Sequence, residues 1–203
     1  MSASVANVRH TARILFLLPF LSMLLAGCGI NDIPTEEEQA KAKWSDVLNQ
    51  YQRRTDLIPN LVETVKGFAK QESSVLIGVT EARAKATSIK VDASTITDPE
   101  AFKKFQEAQA QLSGALGRLL AISENYPELK SNANFLALQS QLEGTENRIA
   151  VARRDYIEAV RVYNTDLKTF PGRIWAVVLY SKYKPLEEFT IEDSAKKPPQ
   201  VKF

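Results

Sequence analysis

Between Trp44 and Ala86, apolar side chains recur at alternating steps of three and four: Trp44, Leu48, Tyr51, Ile58, Val62, Val65, Ala69, Leu76, Val79 and Ala86. A second stripe, Val47, Leu61, Phe68, Val75 and Ala82, runs beside it at multiples of seven. That period belongs to an α-helix with one buried face. Thr35 with Glu38 three residues later reads as a capping box that starts it, and Glu36 and Glu37 occupy the first turn, where the helix dipole favours acids. The pattern predicts one helix of about 50 residues, roughly 75 Å long at 1.5 Å per residue. Pro59 lies inside it. Since the stripe resumes in register beyond it, a bent but continuous helix is expected, with the Thr55 carbonyl deprived of its N–H partner.

Thr87 to Thr97 is β-branched, lacks a stripe and reads as the first loop. Asp98-Pro99-Glu100 opens a second helix with an acidic cap and proline in the first turn. Its stripe is Phe102, Phe105, Leu112, Leu116, Leu119 and Tyr126, and Gly114 and Gly117 suggest a close helix crossing. Asn125-Tyr126-Pro127 ends it. A third helix, from about Asn132 to Thr169, carries Phe135, Leu138, Leu142, Thr145, Ile149, Ala152, Tyr156, Ala159 and Tyr163. The expected fold class is all-α: an elongated up-down antiparallel bundle of three long helices plus a short C-terminal helix after Pro171. The bundle spans residues 35–189, and the charged, proline-rich tail 190–203 is expected to be disordered.

Ahead of the bundle, Arg9 and Arg13 precede an apolar run from Ile14 to Leu25, which ends in Leu25-Ala26-Gly27-Cys28. The run is too short to span a bilayer, which needs about 20 residues, and Pro19 interrupts it. Residues 1–27 therefore read as a cleaved lipoprotein signal resembling a lipobox, with the lone cysteine, Cys28, as the acylated N-terminus and 28–34 as a lipid-anchored linker. Acyl chains burying many CH₂ groups at about 0.8 kcal/mol each would tether the mature chain durably to a membrane. Gly29 after the cysteine, rather than aspartate, resembles lipoproteins sorted to an outer membrane, facing the periplasm in a cell that has one.

Cleavage changes the electrostatic picture. The full chain carries 26 Lys+Arg against 24 Asp+Glu; the signal takes Arg9 and Arg13 but no acid, and leaves a neutral mature protein. Neither nucleic acid nor a polybasic grip on lipid is implied by net charge. The single histidine, His10, departs with the signal. Without imidazole or free thiol, most hydrolase triads, zinc sites and His-containing di-iron sites are excluded, and no cofactor, metal or catalytic residue is expected.

The remaining candidate chemistry is buried polarity. Glu72 and Arg83 fall on the seam of the first helix, Arg54 on its second stripe, and Gln139, Glu146 and Arg153 on the flank of the third. With helix two spanning roughly 40 Å, Glu146 is expected at the height of Glu72 and Arg83. An ion-pair network of Glu72, Arg83, Glu146 and Arg153 follows, with Arg83 against Glu146. The alternatives are flank residues extending to water and, least favoured, a metal held by Glu72, Glu143 and Glu146. Pro171 to Lys184 mixes aliphatic, aromatic and cationic residues, which suits either a helix closing one end of the bundle or a membrane interface. Arg53-Arg54 and Arg153-Arg154 have acidic neighbours, Asp56 and Asp155, and read as solvated faces.

Two runs stand out. The first is Arg53-Arg54-Thr55-Asp56-Leu57-Ile58-Pro59-Asn60-Leu61-Val62 with Trp44 before it and Val65-Lys66-Gly67-Phe68 and Glu72 after it. The second comprises Asn134-Phe135, Thr145-Glu146-Asn147-Arg148-Ile149-Ala150, Tyr156, Tyr163-Asn164 and Phe170-Pro171. Together they resemble the LemA family. The resemblance implies a membrane-anchored helical bundle without an assigned enzymatic activity, and an envelope partner with a TPM domain. Many relatives keep an N-terminal transmembrane helix where this chain has a lipobox. The expectation is a non-enzymatic envelope lipoprotein offering helix faces to a protein partner. A carrier that holds a lipid or other apolar ligand between helices, in space left by Gly114, Ala115 and Gly117, is the alternative.

Overall fold

The computed structural model describes residues 29–190; Cys28, the signal before it and the tail from Ile191 lie outside the described residues. Among those described, six α-helices and no strands are present: α1 (Asp32–Phe68), α2 (Ser73–Ser88), α3 (Pro99–Ile122), α4 (Pro127–Lys130), α5 (Ala133–Asp166) and α6 (Gly172–Val178). The chain is all-α, but its first helix is not a single element of about 50 residues. It is α1, of 37 residues, followed by a 3₁₀ turn at Lys70–Glu72 and α2, of 16 residues.

The chain reverses there. Arg83 Nε donates to the Thr55 carbonyl at 3.1 Å across 28 positions, which one straight helix would hold about 42 Å apart. The physical reason lies in Gly67 and the polar run Lys70-Gln71-Glu72-Ser73-Ser74. That run has no apolar residue to bury, and Ala69, fully buried, closes the end of α1 through its N–H to the Val65 carbonyl. Both arms of the hairpin need an inward stripe, so the sevenfold spacing passes through the turn undisturbed.

Pro59 sits within α1, which continues through it as expected. The start differs. α1 begins at Asp32 rather than Thr35, and Thr35 forms no capping box: its hydroxyl donates to the Asn31 carbonyl at 2.7 Å, while Glu38 pairs with Lys41. The other two starts follow the sequence. Asp98 accepts from the N–H groups of Glu100 and Ala101 at 3.0 and 3.2 Å, and Asn132 accepts from Phe135 N–H at 3.0 Å.

Contacts between side chains set the helix directions. α1 and α5 lie antiparallel, with Trp44 against Tyr156 and Arg54 against Glu146. α3 runs alongside α1 in the same sense, since Trp44 meets Phe102 and Glu72 meets the Tyr126 hydroxyl beyond its far end. α2 packs antiparallel on α1 and α3, through Arg83 to Thr55 and Lys85 to Gln111.

α2 is too short to cover the whole length of α1. Over the remaining half, the 89–98 loop and an extended strap at 184–189 take its place, joined by Glu187 N–H to the Ile96 carbonyl at 2.8 Å. Ile96, Leu186 and Phe189 are buried there. α6 starts against the end of α5 at a glycine, because a Cβ on Gly172 would come within 2.5 Å of the Asp166 carbonyl oxygen.

Two apolar cores result. One, around Ile58, Leu61, Val65, Leu112, Leu119 and Phe135, fills the hairpin end. The other is aromatic: Trp44 has Phe102, Phe105, Tyr156 and Phe189 within 5.2 to 6.0 Å between ring centroids.

Candidate functional site

The two cores are separated by a polar layer, and its centre is Arg54. The stripe of α1 carries this residue inward between Tyr51 and Ile58, and its side chain is 1% exposed. A guanidinium so placed has to be paired, since burying an unpaired charge costs several kcal/mol. Nη1 donates to Ser113 Oγ at 2.8 Å and to Glu146 Oε1 at 2.9 Å. Nη2 donates to Gln109 Oε1 at 2.5 Å, and the Tyr51 ring lies 5.0 Å from the guanidinium carbon. Three helices, α1, α3 and α5, are thereby fixed at one height by a single side chain. Thr55 and Thr145 complete the layer by returning their hydroxyls to the Tyr51 and Gln141 carbonyls at 3.0 and 2.8 Å.

A cleft of about 340 Å³ opens over Arg54, lined by Tyr51, Gln109, Ser113, Glu146, Arg153 and the strap residue Phe189 among others. Burial pushes the Tyr51 phenol up, against the opposing pull of Arg153 and Arg54, so it stays neutral. Arg54 Nε has no partner. The layer holds the Glu146 carboxylate and the Ser113 hydroxyl on one nitrogen of Arg54. Its chemistry is that of a helix-register clamp.

The sequence-derived network divides accordingly. Glu146 belongs to the layer, but its partner is Arg54 and no ion pair joins it to Arg83. Arg83 instead serves the Thr55 carbonyl, which Pro59 leaves without its helical N–H. Glu72, at the hairpin turn, accepts from the Tyr126 hydroxyl at 3.0 Å. Arg153 stacks on Phe189 at 4.4 Å from the ring centroid. Reversal at Ala69–Glu72 is the cause, because it carries Glu72 to the tip of the bundle, away from Glu146. Glu143 accepts from Gln139 on an exposed face, and no group of three metal-ligating side chains occurs among the described residues, so the Glu72, Glu143 and Glu146 cation site has no geometry behind it.

Gly114 and Gly117 are exposed, and a Cβ at either would meet nothing within 4 Å. Neither marks a close helix crossing, and Gly117 instead lines an open groove of about 510 Å³ between α3 and α5 with Leu116, Leu120 and Leu142. Nor is Arg54 on a solvated face, although Arg53 beside it and Arg154 on α5 are exposed.

The strap, which buries Leu186 and Phe189, was not legible in the sequence. Asn164 exchanges two hydrogen bonds with the Leu186 backbone, both 2.9 Å, and the Tyr156 and Tyr163 hydroxyls donate to the Glu187 and Lys184 carbonyls at 2.7 and 3.0 Å. Burial drives both phenols far above their usual range and keeps them protonated donors. Tyr156 and Tyr163-Asn164 lie in the second run that resembles the LemA family. The signal available was that tyrosine and asparagine on a buried helix face need polar partners.

The LemA family model matches residues 43–203, which includes the polar layer, the Pro59 hairpin and the strap anchors. The chain belongs to the LemA family. It is 26% identical over 181 residues to the magnetosome proteins MamQ 1 and MamQ 2 of Paramagnetospirillum magneticum, covering 81% of this chain and 66% of each relative. The likeness to magnetosome protein MamQ of Magnetospirillum gryphiswaldense is 27% over 192 residues, or 87% of this chain and 69% of that one. Protein LemA of Metamycoplasma hominis is 23% identical over 140 residues, covering 69% of this chain and 60% of the relative. The chain thus spans about 66% of the length of the MamQ relatives of Paramagnetospirillum magneticum.

Near the start of α1 and the end of α5 lies an acidic pair, Glu36 from before the family match and Asp166 from within it. Glu36 Oε2 and Asp166 Oδ2 are buried without hydrogen-bond partners. Burial first, then the Asp166 and Asp32 charges, raises the Glu36 carboxyl above its ordinary value; burial and Asp32 raise Asp166. A carboxyl raised in the folded state costs stability once ionised. Stability from this pair is therefore full below the unfolded pKa values and declines as pH rises through the raised folded ones. Glu36→Gln is expected to melt higher than the parent at neutral pH, with the gap closing towards pH ~4, as thermal melts at several pH values will read. An equal gap at every pH would refute the cause.

Proposed function

We propose that this LemA-family chain is a lipid-anchored envelope protein without chemistry of its own, which holds helix faces clear of the membrane for a protein partner. The observation that carries this reading is the separation of its two ends. The described chain enters at Gly29, next to the proposed acylation site, while a groove of about 530 Å³ opens near the hairpin end between α1 and α2. Val62, Leu76 and Ile77 line it, with Lys66, Lys70, Glu63 and Glu81 among the other residues around it, and Ile77 is 55% exposed. An apolar floor with charged neighbours suits the side chains of another protein. No helix among the described residues is long and apolar enough to cross a membrane; this reading places the attachment in lipid on Cys28.

Cys28→Ser is expected to leave the precursor uncleaved and without acyl label, read by mass spectrometry of the chain from membranes; normal mature protein without lipid would overturn the anchor. For the partner, a photocrosslinking side chain at Lys66, across the groove from Ile77, should join one discrete envelope protein, a TPM-domain protein being the first to test. Ile77→Asp should abolish that product while circular dichroism stays unchanged. Capture that survives Ile77→Asp would remove the groove from this role. Saturable uptake of a purified lipid, lost in Gly117→Leu with the fold intact, would favour the carrier instead.

A further inference from the structure

α6 has two faces of different fate. Trp175 and Ala176 pack, with Tyr180 and Tyr183 beyond the helix, against the aromatic core. The outer face is bare: Ile174 is 48% exposed, Val177 73%, Val178 67% and Leu179 53%, with Phe170 at 82% beside it. None of the grooves described above includes these residues. The surface is apolar.

The segment itself carries charge of one sign. From Leu167 to Leu186 the chain has Lys168, Arg173, Lys182 and Lys184 and not one acid. Asp32, Glu36, Glu37 and Asp166 at this end belong to α1 and α5, and Asp166 lies against Gly172 at the start of α6. The position of the face matters as much. A Cβ on Gly29 would lie 3.4 Å from Pro171 Cγ, so the chain enters the described structure directly beside the start of α6. Cys28, the proposed acylation site, immediately precedes Gly29. Whatever attaches the N-terminus to a membrane brings α6 to the same surface.

We propose that the outer face of α6, with its flanking cations, rests in an anionic lipid bilayer and seats the bundle on the membrane beside its N-terminal attachment. Apolar side chains enter the acyl boundary while Lys and Arg reach the phosphate level, the arrangement of an interfacial helix. Exposed valine, isoleucine and phenylalanine would then be removed from water without a protein partner, and the seat would add an orientation that a single flexible tether cannot give. The inference rests on the membrane attachment proposed above.

The test uses the full chain, recovered with its native N-terminus and reconstituted in phosphatidylcholine vesicles with or without phosphatidylglycerol. Benzoylphenylalanine is placed at Val177 and, as a control on α5, at Val151, which is 46% exposed. On irradiation, position 177 should give phospholipid adducts and position 151 none, as read by mass spectrometry. The yield at 177 should fall when phosphatidylglycerol is omitted, and in Lys182→Ala and Lys184→Ala by up to about fivefold per charge. Flotation of the same samples reports attachment separately. A chain that floats but gives no lipid adduct at 177, or equal adducts at 151, overturns the seat and leaves the attachment standing. A chain that does not float overturns both. A covalent dimer through position 177 assigns the face to a second copy of the chain and overturns the membrane as its occupant.

Discussion

Arg54→Ala should cost about 3–5 kcal/mol of folding stability, the largest loss expected from any single substitution outside the apolar cores. The side chain is 1% exposed and fills the layer between two cores, so truncation leaves a cavity as well as orphaned partners. Gln109 Oε1 loses its 2.5 Å donor and Ser113 Oγ its 2.8 Å one. The partners differ in what they lose. The Glu146 side chain is 43% exposed, so water can replace much of what it gives up when Arg54 is removed. Arg54 has no such recourse when Glu146 is removed.

Three variants separate these effects by urea unfolding followed by circular dichroism. Arg54→Met keeps volume without charge and should be less costly than Arg54→Ala, because an apolar replacement needs no pairing. Glu146→Gln keeps an acceptor but not the charge, and should cost about 1–3 kcal/mol. A double-mutant cycle between Arg54→Met and Glu146→Gln should show coupling above ~0.5 kcal/mol. Additivity, or a loss below about 1 kcal/mol for Arg54→Ala, would mean that the layer does not clamp the helices.

Arg54 also shows how far periodicity reaches in this chain. Its place on an inward stripe was legible, as was Glu146 on the flank of the third helix, yet their pairing was not. The level of one helix against another depends on where each turns, and the Ala69–Glu72 reversal is silent in a sevenfold pattern that both arms share. The cap at Asp98 was legible because one short polar side chain satisfies it locally, and Asn132, read only as the approximate helix start, caps in the same way. Thr35-x-x-Glu38 has the same form, but Asn31 and Asp32 extend the helix upstream and the box never forms.

The strap was hidden for a different reason. Residues 184–189 have no helical stripe, and their burial is decided by residues twenty or more positions away, Tyr156, Tyr163 and Asn164, which supply hydrogen-bonding partners to that backbone. Gly114 and Gly117 show the reverse error. Small residues were read as closeness between helices, whereas both lie on the exposed side of α3, where a missing side chain touches nothing.

Removing the Arg83 side chain should destabilise the hairpin by about 1–3 kcal/mol, the cost of leaving a buried acceptor unsatisfied. The acceptor exists because of Pro59. In an unbroken helix the Thr55 carbonyl would receive the N–H of residue 59, and proline has none. Arg83 Nε supplies the missing donor at 3.1 Å from the opposing helix. A defect within α1 is thus repaired by α2, and the repair exists only when the hairpin is closed.

The two substitutions should consequently depend on one another. Pro59→Ala restores a donor within α1, and because residue 59 is exposed the new side chain displaces nothing. In that background Arg83→Ala should lose most of its effect, with a coupling of about 0.5–2 kcal/mol in the double-mutant cycle. Hydrogen exchange at the amides of α2 gives a second reading: protection should fall in Arg83→Ala and recover in the double variant. Should Arg83→Ala cost the same with alanine at 59 as with proline, the arginine acts through packing alone and the carbonyl contact contributes nothing to holding α2 against α1.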